Sequence, residues 1–165
     1  MSEVRKPMLY VVVCAAGVAD GVGELISAAQ GRGWEVGVVA TPLAMGFMDT
    51  AAIEAQTGYV IRSAWRKPGD DRPLPDADAI VVAPATFNTI NKWAAGIADT
   101  LALGILCEAY GRGTLTAVQP RVNEALAKHP AYVESLVRLQ GMGVRFVDDA
   151  PEAYTWTRVL DLLES

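Results

Sequence analysis

Cationic excess is the first thing this sequence lacks. Its 14 Lys and Arg stand against 19 Asp and Glu, a net charge of −5, and no Lys/Arg run offsets the balance. Phosphate-backbone binding needs a basic face, so nucleic acid is not an expected partner. Histidine is scarcer still, with His129 alone. No Cys, His or carboxylate cluster has ligand spacing, and no metal is expected. Cysteine is also sparse: Cys14 and Cys107 sit in apolar segments, far from the dense spacing of a secreted disulfide scaffold, and read as buried reduced thiols. No apolar run approaches the roughly 18 residues that a membrane-spanning helix needs. The opening MSEVRKPM leads into a short apolar run without a small-residue cleavage site, so a cytoplasmic chain is expected.

What is present is globular composition: 52% apolar and 20% charged residues over 165 positions. That length is enough to bury about two thirds of the unfolded surface. Repeats, low-complexity segments and composition shifts are absent, so residues 1–165 are expected to form one domain. Met8–Cys14 and Glu35–Ala40 are continuous apolar, β-rich runs, and the segment between them carries a glycine-punctuated turn and a helix ending near Gly31 or Gly33. Runs of this kind suit parallel strands covered on both faces. The expected fold is α/β: a three-layer sandwich with a doubly wound, Rossmann-like parallel sheet. A helix over Asp49–Thr57, a third strand over Tyr59–Ser63 and a loop over Ala64–Pro75 follow. Further on come a thoroughly apolar helix at Thr100–Tyr110, a strand at Leu115–Val118 and a helix at Tyr132–Leu139. Val144–Val147 reads as a last strand and Tyr154–Leu163 as a terminal helix.

The chain is organised around Ala79–Thr100, AIVVAPATFNTINKWAAGIADT. Ala79–Ala83 suits a buried strand, Pro84 is expected to end its pairing, and Thr86, Asn88 and Thr89 follow at the start of a helix. In open α/β sheets, ligands bind beyond the carboxyl ends of the strands. Free N–H groups at a helix start favour anionic or strongly polar ligand atoms. The glycines at 17, 21 and 23 do not have the dinucleotide spacing G-x-G-x-x-G, and the second strand ends in Thr41 rather than an acid that grips ribose. A nicotinamide cofactor is therefore not expected.

Pro84-Ala85-Thr86-Phe87-Asn88-Thr89, with Lys92 and Gly96-Ile97-Ala98-Asp99 after it, resembles the Pro-Ala-Ser-Ala-Asn-Thr segment of the homo-oligomeric flavin-containing cysteine decarboxylases. These include phosphopantothenoylcysteine decarboxylase and the peptidyl-cysteine decarboxylases of lantibiotic synthesis. A second stretch, Gln119–Pro130, is similar to the substrate clamp of that family, with Pro120, Asn123, His129 and Pro130 at matching spacing and Leu126 in place of a methionine.

The resemblance implies a flavoprotein holding flavin mononucleotide (FMN). Ala16, Gly17 and Thr41 would lie at its phosphate end, and Ala83, Thr86, Asn88 and Thr89 along its ring. It also implies a small carboxylate- or thiol-containing substrate held by Asn88, Arg121 and Asn123. Asn123 is the candidate catalytic residue and Arg121 a planar donor fork for an anion. A homo-oligomer, trimer or higher, is implied, with the apolar Thr100–Tyr110 helix facing another subunit. The family histidine, eight residues before an aspartate resembling Asp78, falls here on Asp70. Asp70 and Asp71 read as hydrated loop carboxylates, and His129 as structural. A non-catalytic flavin-binding regulatory subunit is therefore a second expectation. A flavin prenyltransferase is a third, weakened because CAAGVAD lacks the Gly-Ala-Ser-Gly-type opening of that group.

Overall fold

In the computed structural model, residues 4–70, 74–148 and 154–164 are described. Asp71 lies outside them. Five strands, β1 (Met8–Val13), β2 (Glu35–Ala40), β3 (Ala79–Ala85), β4 (Leu115–Pro120) and β5 (Arg145–Phe146), form an all-parallel sheet in the order β2-β1-β3-β4-β5. Their side chains are apolar in both directions because helices cover both faces. On one face α1 (Val22–Gly31), α2 (Thr50–Thr57) and α7 (Arg158–Asp161) press Leu25, Ile26, Ile53 and Val159 against Leu9, Val11 and Val38. On the other, α3 (Phe87–Ala94), α4 (Leu101–Arg112) and α6 (Pro130–Gly141) press Ile90, Trp93, Leu106 and Leu139 against Val12, Ile80 and Val118. A single-turn helix, α5 (Glu124–Ala127), precedes α6. This is the doubly wound, three-layer arrangement that the strand pattern implies.

Several local expectations are corrected. Pro84 does not end strand pairing. Its carbonyl accepts the Cys14 N–H at 3.1 Å, and after a register irregularity Ala85 pairs with Pro120, with Arg121 N–H donating to the Ala85 carbonyl at 2.8 Å. Only the ladder bond that needs a proline N–H is lost, and an irregularity in register absorbs it. The strand expected at Tyr59–Ser63 reduces to one parallel bridge, Val39 with Arg62. The terminal helix shrinks to Arg158–Asp161.

Helix α4 carries most of its apolar side chains into the core of this chain. Leu101, Ala102, Leu103, Leu106 and Ala109 are all buried within this one chain, so most of its apolar girth is used without another subunit. Gly104 accepts the ring of Trp65, since a Cβ at that position would stand 2.7 Å from Trp65 Cζ2. That contact fastens the irregular segment after Arg62 to α4. Trp93 is core, at 3% exposure. Among the described residues no helix is long and apolar enough to cross a membrane, and no group of three or more His, Cys, Asp or Glu is placed to hold a metal ion.

Candidate functional site

A parallel sheet delivers every strand tip to the same edge, and in the order β2-β1-β3-β4-β5 the winding reverses between β1 and β3. The crevice at such a reversal is where α/β sheets take ligands. Beyond β1, Ala16 and Gly17 begin a single 3-10 stretch, Gly17–Gly21, whose start carries no side-chain cap; no atom lies within 4 Å of a Cβ built at Gly17. Beyond β2, Thr41 precedes a second 3-10 stretch, Pro42–Phe47, without using its side chain as a cap. Ala83 is buried in β3. Thr86 caps α3 by accepting the Thr89 N–H, and Asn88 is exposed on the first turn. Beyond β4 come Arg121, exposed, and Asn123, which caps α5 by accepting the Leu126 N–H at 2.8 Å. The strand tips thus gather Ala16, Gly17, Thr41, Ala83, Thr86, Asn88, Arg121 and Asn123 on one edge.

The hydroxyl of Thr89 faces inward. It is 6% exposed and accepts from the Thr86 hydroxyl at 3.2 Å and the Cys14 thiol at 3.3 Å. Burial pushes the Cys14 thiol pKa up, and its bonds with the two threonines only partly oppose the rise. Asn123 spends its carbonyl on the cap, which leaves its NH₂ group as a donor. His129 accepts the Ala131 N–H on Nδ1 at 3.0 Å and caps α6. Asp70 accepts the Lys67 N–H at 2.9 Å in a turn and is exposed. Phe87 stacks on Tyr132 at 5.9 Å and meets His129 edge-on, joining α3 to α6.

Sequence reasoning missed the segment that folds back over this edge. Trp156 lies against Gly21, where a Cβ would stand 2.9 Å from its Nε1, and packs edge-on against Tyr154. Tyr154 lines a cavity together with Gln119 and Pro120 at the tip of β4, and burial raises its hydroxyl pKa, with Cys14 adding to the rise and Arg121 opposing it. Among the described residues its hydroxyl is buried without a hydrogen-bond partner, as is Oε1 of Gln119, a residue 2% exposed near the end of β4. A buried amide oxygen left unbonded costs about 1–3 kcal/mol. The sequence did carry a signal for Gln119: it is the one amide side chain in the strand LTAVQP. A separate cleft of about 310 Å³, lined by Tyr10, Arg62, Trp65, Arg66 and Ile105 among others, lies away from this edge.

The model of one protein family, described as Flavoprotein, matches residues 2–163. The chain belongs to the Flavoprotein family. Among curated relatives of this flavoprotein, the phosphopantothenoylcysteine decarboxylase HAL3 of Malus domestica is 26% identical over 155 residues, 88% of this chain and 71% of that protein. The coenzyme A biosynthesis bifunctional protein CoaBC of Thermococcus kodakarensis is 35% identical over 72 residues, covering 44% of this chain and 18% of its own length. The flavoprotein therefore matches less than a fifth of that longer relative. Among solved structures, the FMN-dependent cysteine decarboxylase SpaF superposes with a TM-score of 0.74 at 28% identity, over 86% of this chain and 83% of that one.

Proposed function

We propose that this flavoprotein is a cytoplasmic, single-domain FMN-binding protein. In our reading it acts on a small carboxylate- or thiol-containing substrate in the manner of cysteine decarboxylases. The observation that carries the reading is the convergence of β1, β2, β3 and β4 tips, each with a short polar or glycine-opened segment, at the β1/β3 reversal. The donor set fits the cofactor. The open space beside Gly17 and the hydroxyl of Thr41, which takes no part in capping, suit a phosphate, while the half-buried Thr86 and the exposed Asn88 offer polar groups to a ring, with Thr89 holding Thr86 in place; Ala83, fully buried, supports that edge from within and presents no surface to it.

When bound, flavin supplies a two-electron hydride acceptor for oxidation of a thiol. This chain's residues bind and orient. The Asn123 NH₂ group donates to a substrate carboxylate, and the Arg121 guanidinium adds a planar donor pair. Tyr154 and Trp156 shield the edge from water. Proton removal is the weak point, because the loop carrying Asp70 has no histidine and both Asp70 and His129 serve the backbone. Turnover of phosphopantothenoylcysteine is expected to fall short by on the order of a hundredfold or more. The same observation favours a second reading, a non-catalytic flavin-binding regulatory subunit.

The purified chain should be yellow or turn yellow with FMN, and mass spectrometry of what denaturation releases should identify FMN. A protein that stays colourless in excess FMN sinks the proposal. A turnover reaction abolished by Asn123→Ala with FMN still bound removes the regulatory reading. Assembly into a trimer or higher oligomer belongs to the same proposal, supported by the apolar side chains Val133 and Val137 exposed along α6 and Ile97 exposed just beyond the end of α3. A monomer by light scattering at micromolar concentration counts against it.

A further inference from the structure

The cleft between α4 and the segment after Arg62 is built differently from the strand-tip edge. It holds about 310 Å³ and reaches the end of the sheet where β3 and β4 begin, since Asp76, Ala77 and Thr114, which precede those strands, line it. That volume suits a small ligand. Val39, Ile80 and Ile105 contribute apolar wall, and so does Trp65, which stays 55% exposed although the edge of its ring rests on Gly104. Among the described residues five charged side chains line the same cleft, and they divide unequally. Glu108 pairs with Arg112 at 3.2 Å, one turn apart on α4, and Asp76 has a partner of its own. Arg62 and Arg66 remain.

Each of these two guanidiniums gives one N–H to a nearby carbonyl, Arg62 to Ala64 at 3.0 Å and Arg66 to Asp70 at 3.2 Å. Most of each donor fork is left over. Among the described residues neither is ion-paired with a carboxylate. The two cations also disfavour one another: the Arg62 pKa is lowered by burial and then by Arg66, and Tyr10 and Asp70 oppose the fall only in part. An anion shared between them relieves that repulsion. A bare inorganic anion leaves the indole and the apolar wall wet, whereas a neutral ring leaves the guanidiniums unmatched. A carboxylate is planar and fits the fork, and an aromatic ring covers an exposed indole by stacking. We propose that this cleft binds a planar aromatic carboxylate, its acid group on Arg62 and Arg66 and its ring against Trp65. Glu108 and Asp76 repel a second negative charge, so a single carboxylate suits the cleft better than a phosphate ester. The site goes beyond the flavin proposal and does not rest on it.

The test uses the full chain with 2-naphthoate, its neutral isostere 2-naphthamide, ring-free acetate and the dianionic 2-naphthyl phosphate. Calorimetry measures each, with and without saturating FMN. Wild type should bind 2-naphthoate roughly tenfold tighter than 2-naphthamide or acetate, the usual worth of a charge-assisted hydrogen bond. The phosphate should bind no tighter than the carboxylate. Arg66→Gln, a change at an exposed position, should cut the preference for 2-naphthoate over 2-naphthamide several-fold and leave FMN affinity unchanged. Trp65→Phe should weaken both naphthyl compounds together and leave their ratio as it was. Saturating FMN should not alter 2-naphthoate affinity.

No binding of 2-naphthoate, equal binding of the acid and the amide in wild type, or a preference untouched by Arg66→Gln overturns the inference. So does displacement of 2-naphthoate by FMN, which would put the acid on the strand-tip edge, and so does tighter binding of the phosphate. Should Arg66→Gln fail to fold, the wild-type comparisons and Trp65→Phe decide, and unaltered 2-naphthoate binding in Trp65→Phe counts against the site.

Discussion

The Sγ of Cys14 lies 3.3 Å from Oγ1 of Thr89, a buried thiol-to-hydroxyl contact that joins the tip of β1 to the first turn of α3. Because Thr89 also accepts from Thr86, the three side chains act as one fastening beneath the strand tips. Desolvation keeps the Cys14 thiol protonated at neutral pH, and only the thiolate attacks alkylating reagents. Cys107 is less enclosed, although burial raises its pKa as well. Under native conditions iodoacetamide should therefore modify Cys107 at least about tenfold faster than Cys14. Peptide mass spectrometry reads the order, and prior labelling of Cys14 would show that the fastening opens.

Thr86 and Thr100 each cap a helix with a hydroxyl, and Thr86 follows directly on the tip of β3. Replacing either with alanine should cost about 1 kcal/mol of stability, the usual loss of a cap. FMN affinity should fall in Thr86→Ala and hold in Thr100→Ala and Thr86→Ser. Denaturant melts paired with flavin titration check both halves. Equal losses of FMN affinity at the two sites would place the cofactor elsewhere.

Asn123 separates capping from substrate binding. Aspartate keeps the acceptor that the Leu126 N–H needs but lacks the NH₂ group and adds a negative charge. Asn123→Asp should melt close to wild type, within about 0.5 kcal/mol, since both residues are good caps, and should lose carboxylate-substrate binding by tenfold or more. Asn123→Ala should lose both. A carboxylate substrate bound equally by Asn123→Asp would exclude the proposed contact.

Acid sensitivity has an identifiable contributor at the opposite end of the sheet. Asp78 accepts the Met8 N–H at 2.7 Å and pairs with Arg5 at 3.0 Å, and these hold its carboxyl below the usual range, the Met8 bond being the main cause. A depressed folded-state pKa stabilises above the unfolded value, near pH 3.9, and that stability fades as pH drops through the folded value. Asp78→Asn should therefore lower the melting temperature at pH 7 and converge on wild type once pH has dropped through the depressed folded-state value. Melting curves from pH 2 to 8 test this, and parallel curves throughout would assign the acid response to other groups.

Much of the fold was legible because its strands are buried on both faces. Glu35–Ala40 is read from the sequence with its observed ends, and β1 within one residue. Legibility failed where tertiary pairing overrides a local signal. Pro84 reads as a stop, yet a strand with neighbours on both sides can lose one donor and still pair through its carbonyl. Tyr59–Ser63 has strand composition but meets only β2, and one bridge is all that results. For the candidate site, strand-end polar residues could be counted off in order, since a parallel sheet brings all tips together. Gln119, Tyr154 and Trp156 could not be, because their part depends on a distant segment folding back over those tips. Phe87 shows the limit from another side: its ring, an addition to a motif of small residues, turns toward α6 and Tyr132, a direction no spacing reveals.

The meeting of Trp65 with Gly104 has a reach beyond its size. The residue that the decarboxylase pattern would make a histidine follows a stretch with almost no regular structure, and one indole resting where a helix has no side chain holds the near side of that stretch, while Leu74 in the core holds the far side. Adding a methyl group at Gly104 would dislodge the indole, leave α4 intact, and loosen the stretch that leads to Asp70 on its near side. A chain of this kind can therefore lose or regain the placement of its loop chemistry through a change made on a helix several residues from any reacting atom.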